Sequence, residues 1–77
     1  MKTVQICLDS IDKVKSFVNA ITTFDAEFDL ISGRYVIDAK SIMGIFSLDL
    51  SKPITLNIHS ETDTDAIMAA IKPFIVE

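Results

Sequence analysis

Few side chains in this 77-residue sequence have the reactivity to carry chemistry. There is one histidine, His59, one cysteine, Cys7, and two serines that open apolar helical runs, Ser10 and Ser41. Ser41 stands in the stretch Asp38-Ala39-Lys40-Ser41-Ile42-Met43-Gly44-Ile45-Phe46-Ser47-Leu48, where a strand hands over to a short helix. A serine at a helix start accepts a hydrogen bond from a first-turn amide, and the same hydroxyl can take a phosphate. A helix this short cannot turn Ile42, Met43, Ile45, Phe46 and Leu48 into one core. Ile45 and Leu48 fit the inward face, which leaves Met43, with Ile42 and Phe46, on a partly exposed patch suited to a partner.

The remaining candidates read more plainly. His59 ends a strand on its outward face, and the only arginine, Arg34, belongs to a hairpin elsewhere in the sequence. Cys7 alternates with Val4, Ile6 and Leu8, so it is expected to face outward, with no basic neighbour to make it nucleophilic. Asp9, Asp12, Asp25, Glu27 and Asp29 follow polar faces and element ends without a His or Cys cluster, so neither a metal site nor a catalytic pair is expected. The sequence reads as a non-enzyme with no cofactor.

Alternation of Val4, Ile6 and Leu8 predicts a first strand over Thr3 to Leu8. Asp9 and Ser10 are capping residues, and Val14, Phe17, Val18 and Ile21 then take helical spacing up to Thr22-Thr23. Phe28 and Leu30 mark a second strand within Ala26 to Ile31. Ser32-Gly33 is expected to turn it into a third strand over Arg34 to Asp38. A short helix over Ser41 to Leu48 follows. Ser51-Lys52-Pro53 breaks the chain before a fourth strand from Ile54 to His59, with Ile54, Leu56 and Ile58 inward. A last helix opens at Thr62-Asp63-Thr64-Asp65, carries Ile67, Ala70, Ile71 and Phe74 on its apolar face, and stops or kinks near Lys72 because of Pro73. The order is β-α-β-β-α-β-α. One apolar face per strand predicts an α+β two-layer sandwich of helices on a mostly antiparallel sheet.

Composition sets the remaining limits. The length suits one domain, residues 1–77. Hydrophobic residues make up 49% and charged residues 23%, which excludes disorder. A net charge of −4 with seven basic residues gives no footprint for nucleic acid or an anionic membrane. No apolar run approaches the ~20 residues of a membrane span, and no signal-peptide pattern is seen. The single cysteine suits a reducing, cytoplasmic setting.

The Lys40-Ser41-Ile42-Met43-Gly44-Ile45-Phe46-Ser47-Leu48 run resembles the regulatory-serine segment of HPr, the phosphocarrier family of the bacterial sugar phosphotransferase system. Lys2-Thr3-Val4, Asp9-Ser10 and Phe24-Asp25-Ala26 match the same pattern, so the likeness runs along nearly the whole chain. The resemblance implies strand order 1-4-2-3 with three helices on one side. It also implies a regulatory phosphosite at Ser41 and a partner surface at Ile42, Met43 and Phe46. The implied partners are an HPr kinase-like enzyme and phosphotransferase-system proteins or a transcriptional regulator.

One hallmark fails. The family's phosphoacceptor segment, Gly-x-His-Ala-Arg-Pro-Ala-like, should lie between the first strand and first helix. Here that region reads Asp9-Ser10-Ile11-Asp12-Lys13-Val14-Lys15-Ser16, shorter and without histidine, arginine, glycine or proline. The expectation is a regulatory binding module of the phosphotransferase system and not a conventional histidine phosphocarrier. The alternatives are a phosphocarrier using His59 and a small-ligand sensor domain.

Overall fold

A computed structural model describes residues 2–60 and 62–76. The elements run β1 (Lys2–Ile6), α1 (Ile11–Thr22), β2 (Glu27–Ser32), β3 (Tyr35–Asp38), α2 (Ile42–Phe46), β4 (Ile54–His59) and α3 (Thr64–Ile71), with a 3₁₀ turn over Lys72–Phe74. The four strands form one antiparallel sheet in the order β1-β4-β2-β3, as the resemblance implied.

Period-two patterning puts Phe28, Leu30, Ile54, Leu56 and Ile58 on the helix side, where all five are buried. Val14, Phe17 and Ile21 of α1, Ile45 of α2 and Ile67 and Ile71 of α3 close over them in one apolar cluster. Phe74, carried inward by the 3₁₀ turn, meets Phe17 edge-to-face, with centroids 5.7 Å apart and planes at 85°. The opposite sheet face is polar across β1 and β4. Directly opposed side chains bond across β1 and β4, Thr3 Oγ1 to Asn57 Oδ1 at 2.8 Å and Gln5 Nε2 to Thr55 Oγ1 at 2.7 Å.

Several local expectations shift. The hairpin turns on Gly33-Arg34 and not Ser32-Gly33, because Ser32 and Tyr35 are already paired. Gly33 takes φ +62°, which a side chain would strain. β1 ends at Ile6, so Cys7 lies just past the strand, half-buried between the fully buried Ile6 and Leu8. Its amide donates to the Phe74 carbonyl at 2.8 Å, drawing the C-terminal segment against β1. α2 spans only Ile42–Phe46, framed by Ser41 and Ser47 as caps. The acidic start of α3 caps less than expected: Asp63 sits at φ 59° and its side chain makes no cap bond.

Candidate functional site

Ser41 is the N-cap of α2, in extended backbone with φ −91° and ψ 98°. The chain reaches it through a turn fixed by Asp38. The Asp38 carboxylate accepts from the Lys40 amide at 2.9 Å, and its carbonyl accepts from the Ser41 amide at 2.9 Å. With its backbone held at both sides, Ser41 accepts from the Gly44 amide through Oγ at 3.3 Å and from the Ile45 amide through its carbonyl at 3.0 Å. The side chain is exposed, so this capping hydroxyl is open to an incoming reagent.

Gly44 makes room for the cap. A Cβ on Gly44 would lie 3.2 Å from Ser41 Oγ and 3.4 Å from Ile37 Cδ1. Ser47 Oγ donates back to the Gly44 carbonyl at 2.6 Å, closing the helix at its other end. No basic side chain bonds to the Ser41 hydroxyl among the described residues. The neighbouring cation is committed elsewhere: Lys40 Nζ donates to the Phe24 carbonyl at 2.9 Å and lies 5.6 Å from the Phe28 ring centroid.

The expected patch divides by helix phase. Met43 is 78% exposed and Phe46 40%, whereas Ile42 is half-buried against the core and Ile45 fully buried. Met43 and Phe46 therefore carry the open apolar surface, with Ile42 at its edge. Ile11, the first residue of α1, adds another large apolar side chain at 61% exposure. Its spacing to Val14 gives no warning of this, because the first turn of α1 reaches beyond the core.

The junction between β1 and α1 is closed by local contacts. Ser10 caps α1, its Oγ accepting from the Lys13 amide at 3.2 Å, and Lys13 Nζ pairs with Asp9 Oδ1 at 3.0 Å. The hydrogen bond and charge of Lys13 hold the Asp9 carboxyl below its ordinary range, and Asp9 raises Lys13 in return. A cation that could have received a phosphoryl group here is already engaged by a carboxylate.

His59 lies on the polar sheet face, on the side away from the helices. Its Nε2 meets Asp29 Oδ2 at 2.6 Å. The two residues are diagonal neighbours, since His59 is opposite Glu27 and Asp29 is opposite Asn57. Only the register of β2 on β4 reveals this pair. Asp25, Glu27, Asp29, Asp38 and Lys40 line the shallow depression around His59. Among the described residues, no group of three or more His, Cys, Asp or Glu side chains is placed to hold a metal ion. No helix there is long and apolar enough to cross a membrane.

Comparison with known proteins agrees with this architecture. The family description "PTS HPr component phosphorylation site" matches residues 13–77, beginning inside α1 and leaving the β1–α1 junction outside the match. Among solved structures, HPr-C-His from Thermoanaerobacter tengcongensis superposes with a TM-score of 0.78 at 25% identity, covering 95% of this chain and 89% of that one. The phosphocarrier protein HPr from Bacillus anthracis gives 0.70 at 26% identity, covering 97% and 94%. The histidine-containing phosphocarrier protein of Mycoplasma shares the fold, with a TM-score of 0.71 at 18% identity over 94% and 86%. No curated protein sequence matches the chain.

Proposed function

Because this chain belongs to the HPr family of the phosphotransferase system, we propose that it serves that system as a regulatory binding module switched at Ser41. HPr proteins are carriers and not catalysts, and they act through contacts with other proteins of the system. What this member lacks is a histidine at the β1–α1 junction, where Ser10, Asp9 and Lys13 instead satisfy one another. The observation that carries the reading is the exposed Ser41 hydroxyl on the same short helix as exposed Met43 and Phe46.

In the proposed step, Ser41 Oγ attacks the γ-phosphorus of ATP held by an HPr kinase-like enzyme. The hydroxyl proton passes to a base of that enzyme, the bond to the β-phosphate oxygen breaks, and ADP leaves. The product adds about −1.5 to −2 charges beside the Met43/Phe46 surface. With Lys40 engaged by the Phe24 carbonyl, the cation next to Ser41 in the chain is not positioned to draw the phosphate down. The charge therefore faces outward, and a phosphotransferase-system protein or a transcriptional regulator reads it as altered electrostatics over an apolar contact. A cytoplasmic setting follows from those partners.

Incubation of the purified protein with HPr kinase and ATP tests the reading by mass spectrometry. Phosphate on Ser41, absent in Ser41→Ala, supports it. A reaction that modifies a conventional HPr control and leaves Ser41 unmodified rejects it.

A further inference from the structure

The two edges of the sheet are treated differently. The β1 edge is covered by the chain's own C-terminal segment: Ile75 bridges to Ile6, and the Val76 amide donates to the Gln5 carbonyl at 2.9 Å. β3, the other edge strand, has no strand beyond it among the described residues. It is also apolar at the surface, with Tyr35 66% and Val36 63% exposed. An open, apolar strand edge is a template for pairing with another chain.

Register defines what that template offers. Ser32 and Tyr35 close the two-residue hairpin, and the Ala39 amide donates to the Phe28 carbonyl at 2.9 Å. Residues 35, 37 and 39 therefore turn their backbone groups toward β2, and Val36 and Asp38 turn theirs to the open side, with Arg34 in the turn at the end of that edge. The Asp38 carbonyl is taken by the Ser41 amide, which leaves the Asp38 N–H and both groups of Val36 for a neighbour.

We propose that β3 pairs antiparallel with β3 of a second copy of this chain, Val36 opposite Val36 across a two-fold axis, joining two sheets into one. Hydrogen-bond parity admits few registers, and charge selects among them. With Val36 on the axis, Arg34 of each copy, in the turn that leads into β3, comes to the strand end where Asp38 of the other copy lies, placing opposite charges together at both ends. Tyr35 then faces Ile37 in the close, non-hydrogen-bonded positions, an aromatic on a β-branched side chain. A shift one way sets Arg34 against Val36. A shift the other way sets Arg34 against Lys40 and Val36 against Asp38. The strand is thus complementary to itself in one register. The paired area is at the small end of the interface scale, so association is weak and requires concentrations well above micromolar.

Sedimentation across a concentration series, with amide exchange read by NMR, tests the pairing. The expected result is a monomer–dimer equilibrium in which the Val36 amide gains protection with concentration and the Ile37 amide, already bonded to β2, does not. Val36→Lys abolishes the dimer, and Arg34→Asp weakens it by roughly tenfold or more by replacing attraction with repulsion at both ends. Equimolar Arg34→Asp and Asp38→Arg chains, each poor at self-association, dimerise with one another. Circular dichroism confirms that each variant is folded. A chain that stays monomeric throughout overturns the proposal, and so does self-association that survives Val36→Lys and Arg34→Asp.

Discussion

Ser41 Oγ accepts from the Gly44 amide at 3.3 Å, and a Cβ on Gly44 would press to within 3.2 Å of that same oxygen. The helix tolerates its least favourable non-proline residue at its centre because the space above it belongs to the cap. Alanine there gains up to about 1 kcal/mol of helix propensity. It loses part of that gain by crowding Ser41 and Ile37.

Gly44→Ala is accordingly expected to move the melting temperature by only a few degrees while lowering the rate of phosphate incorporation at Ser41. A phosphate needs more room than a hydroxyl, so crowding weighs on the modified state more than on the cap. Ser41→Ala acts in the opposite sense on stability, with a loss of about 1 kcal/mol from the missing cap bond. Parallel thermal melts and kinase time courses check both. An unchanged rate in Gly44→Ala would show that the glycine makes room for the unmodified cap alone.

Phe17 and Phe74 hold the C-terminal turn on α1. Phe74 lies beyond the end of α3, and its edge-to-face contact closes the floor of the core. Truncation of either ring to alanine is expected to cost about 3–5 kcal/mol. A domain of this size has only about 4–12 kcal/mol in total. Phe74→Ala also loosens the Cys7–Phe74 backbone bond that draws the C-terminal segment over the β1 edge. Denaturant melts should show the loss, and amide exchange should show Cys7 opening first.

Acid should be felt locally at two exposed carboxylates. Lys13 depresses Asp9, and the Ser51 hydroxyl and amide depress Asp49. A depressed folded-state value means that each contact is fully present above the ordinary carboxylate range and is lost as pH falls through the lower folded value. Lys13 is raised, so its side of the pair persists below its ordinary value and is lost as pH climbs through the higher one. Carboxyl NMR titration should find Asp9 and Asp49 titrating below free aspartate, with Lys13→Met returning Asp9 toward the ordinary value. An Asp9 midpoint indifferent to Lys13→Met would refute the pairing.

Alternation and helical spacing made the architecture readable because each element buries one clean face: Phe28 and Leu30, Ile54 to Ile58, Val14 to Ile21. Strand order was not in those periods and came from the Ser41 segment's likeness to HPr. What escaped depended on contacts between distant positions. Tyr35 shares a strand face with Ile37 yet is exposed, because β3 is at the sheet's edge. The Asp29–His59 contact exists only in one register of β2 on β4. Ile11 looks like a core position by spacing and emerges at the surface because α1 begins before the core does. Around α2, the Ser41 cap and the exposure of Met43 were legible, and the reason for Gly44 was not, since a close approach has no pattern in sequence.

His59 provides the sharpest test of whether any histidine chemistry persists in this chain. Phosphoryl transfer to an imidazole requires a free ring nitrogen and a setting that stabilises incoming negative charge. Nε2 of His59 is occupied by Asp29 at 2.6 Å, and the surrounding depression brings Asp25, Glu27 and Asp38 against a single lysine. That lysine is itself held by the Phe24 carbonyl. A phosphoryl group on the remaining nitrogen would join a depression lined by carboxylates, in which Lys40 is the one cation among the described lining residues. Incubation with enzyme I and phosphoenolpyruvate is therefore expected to give no acid-labile phosphate, while a conventional HPr in the same mixture is labelled. Asp29→Asn removes one carboxylate charge and should still leave His59 unlabelled, because the other carboxylates remain. Label on His59 in the unaltered chain would overturn the proposed regulatory role of Ser41 as the chain's sole phosphate chemistry and place a phosphoacceptor on the outer sheet face.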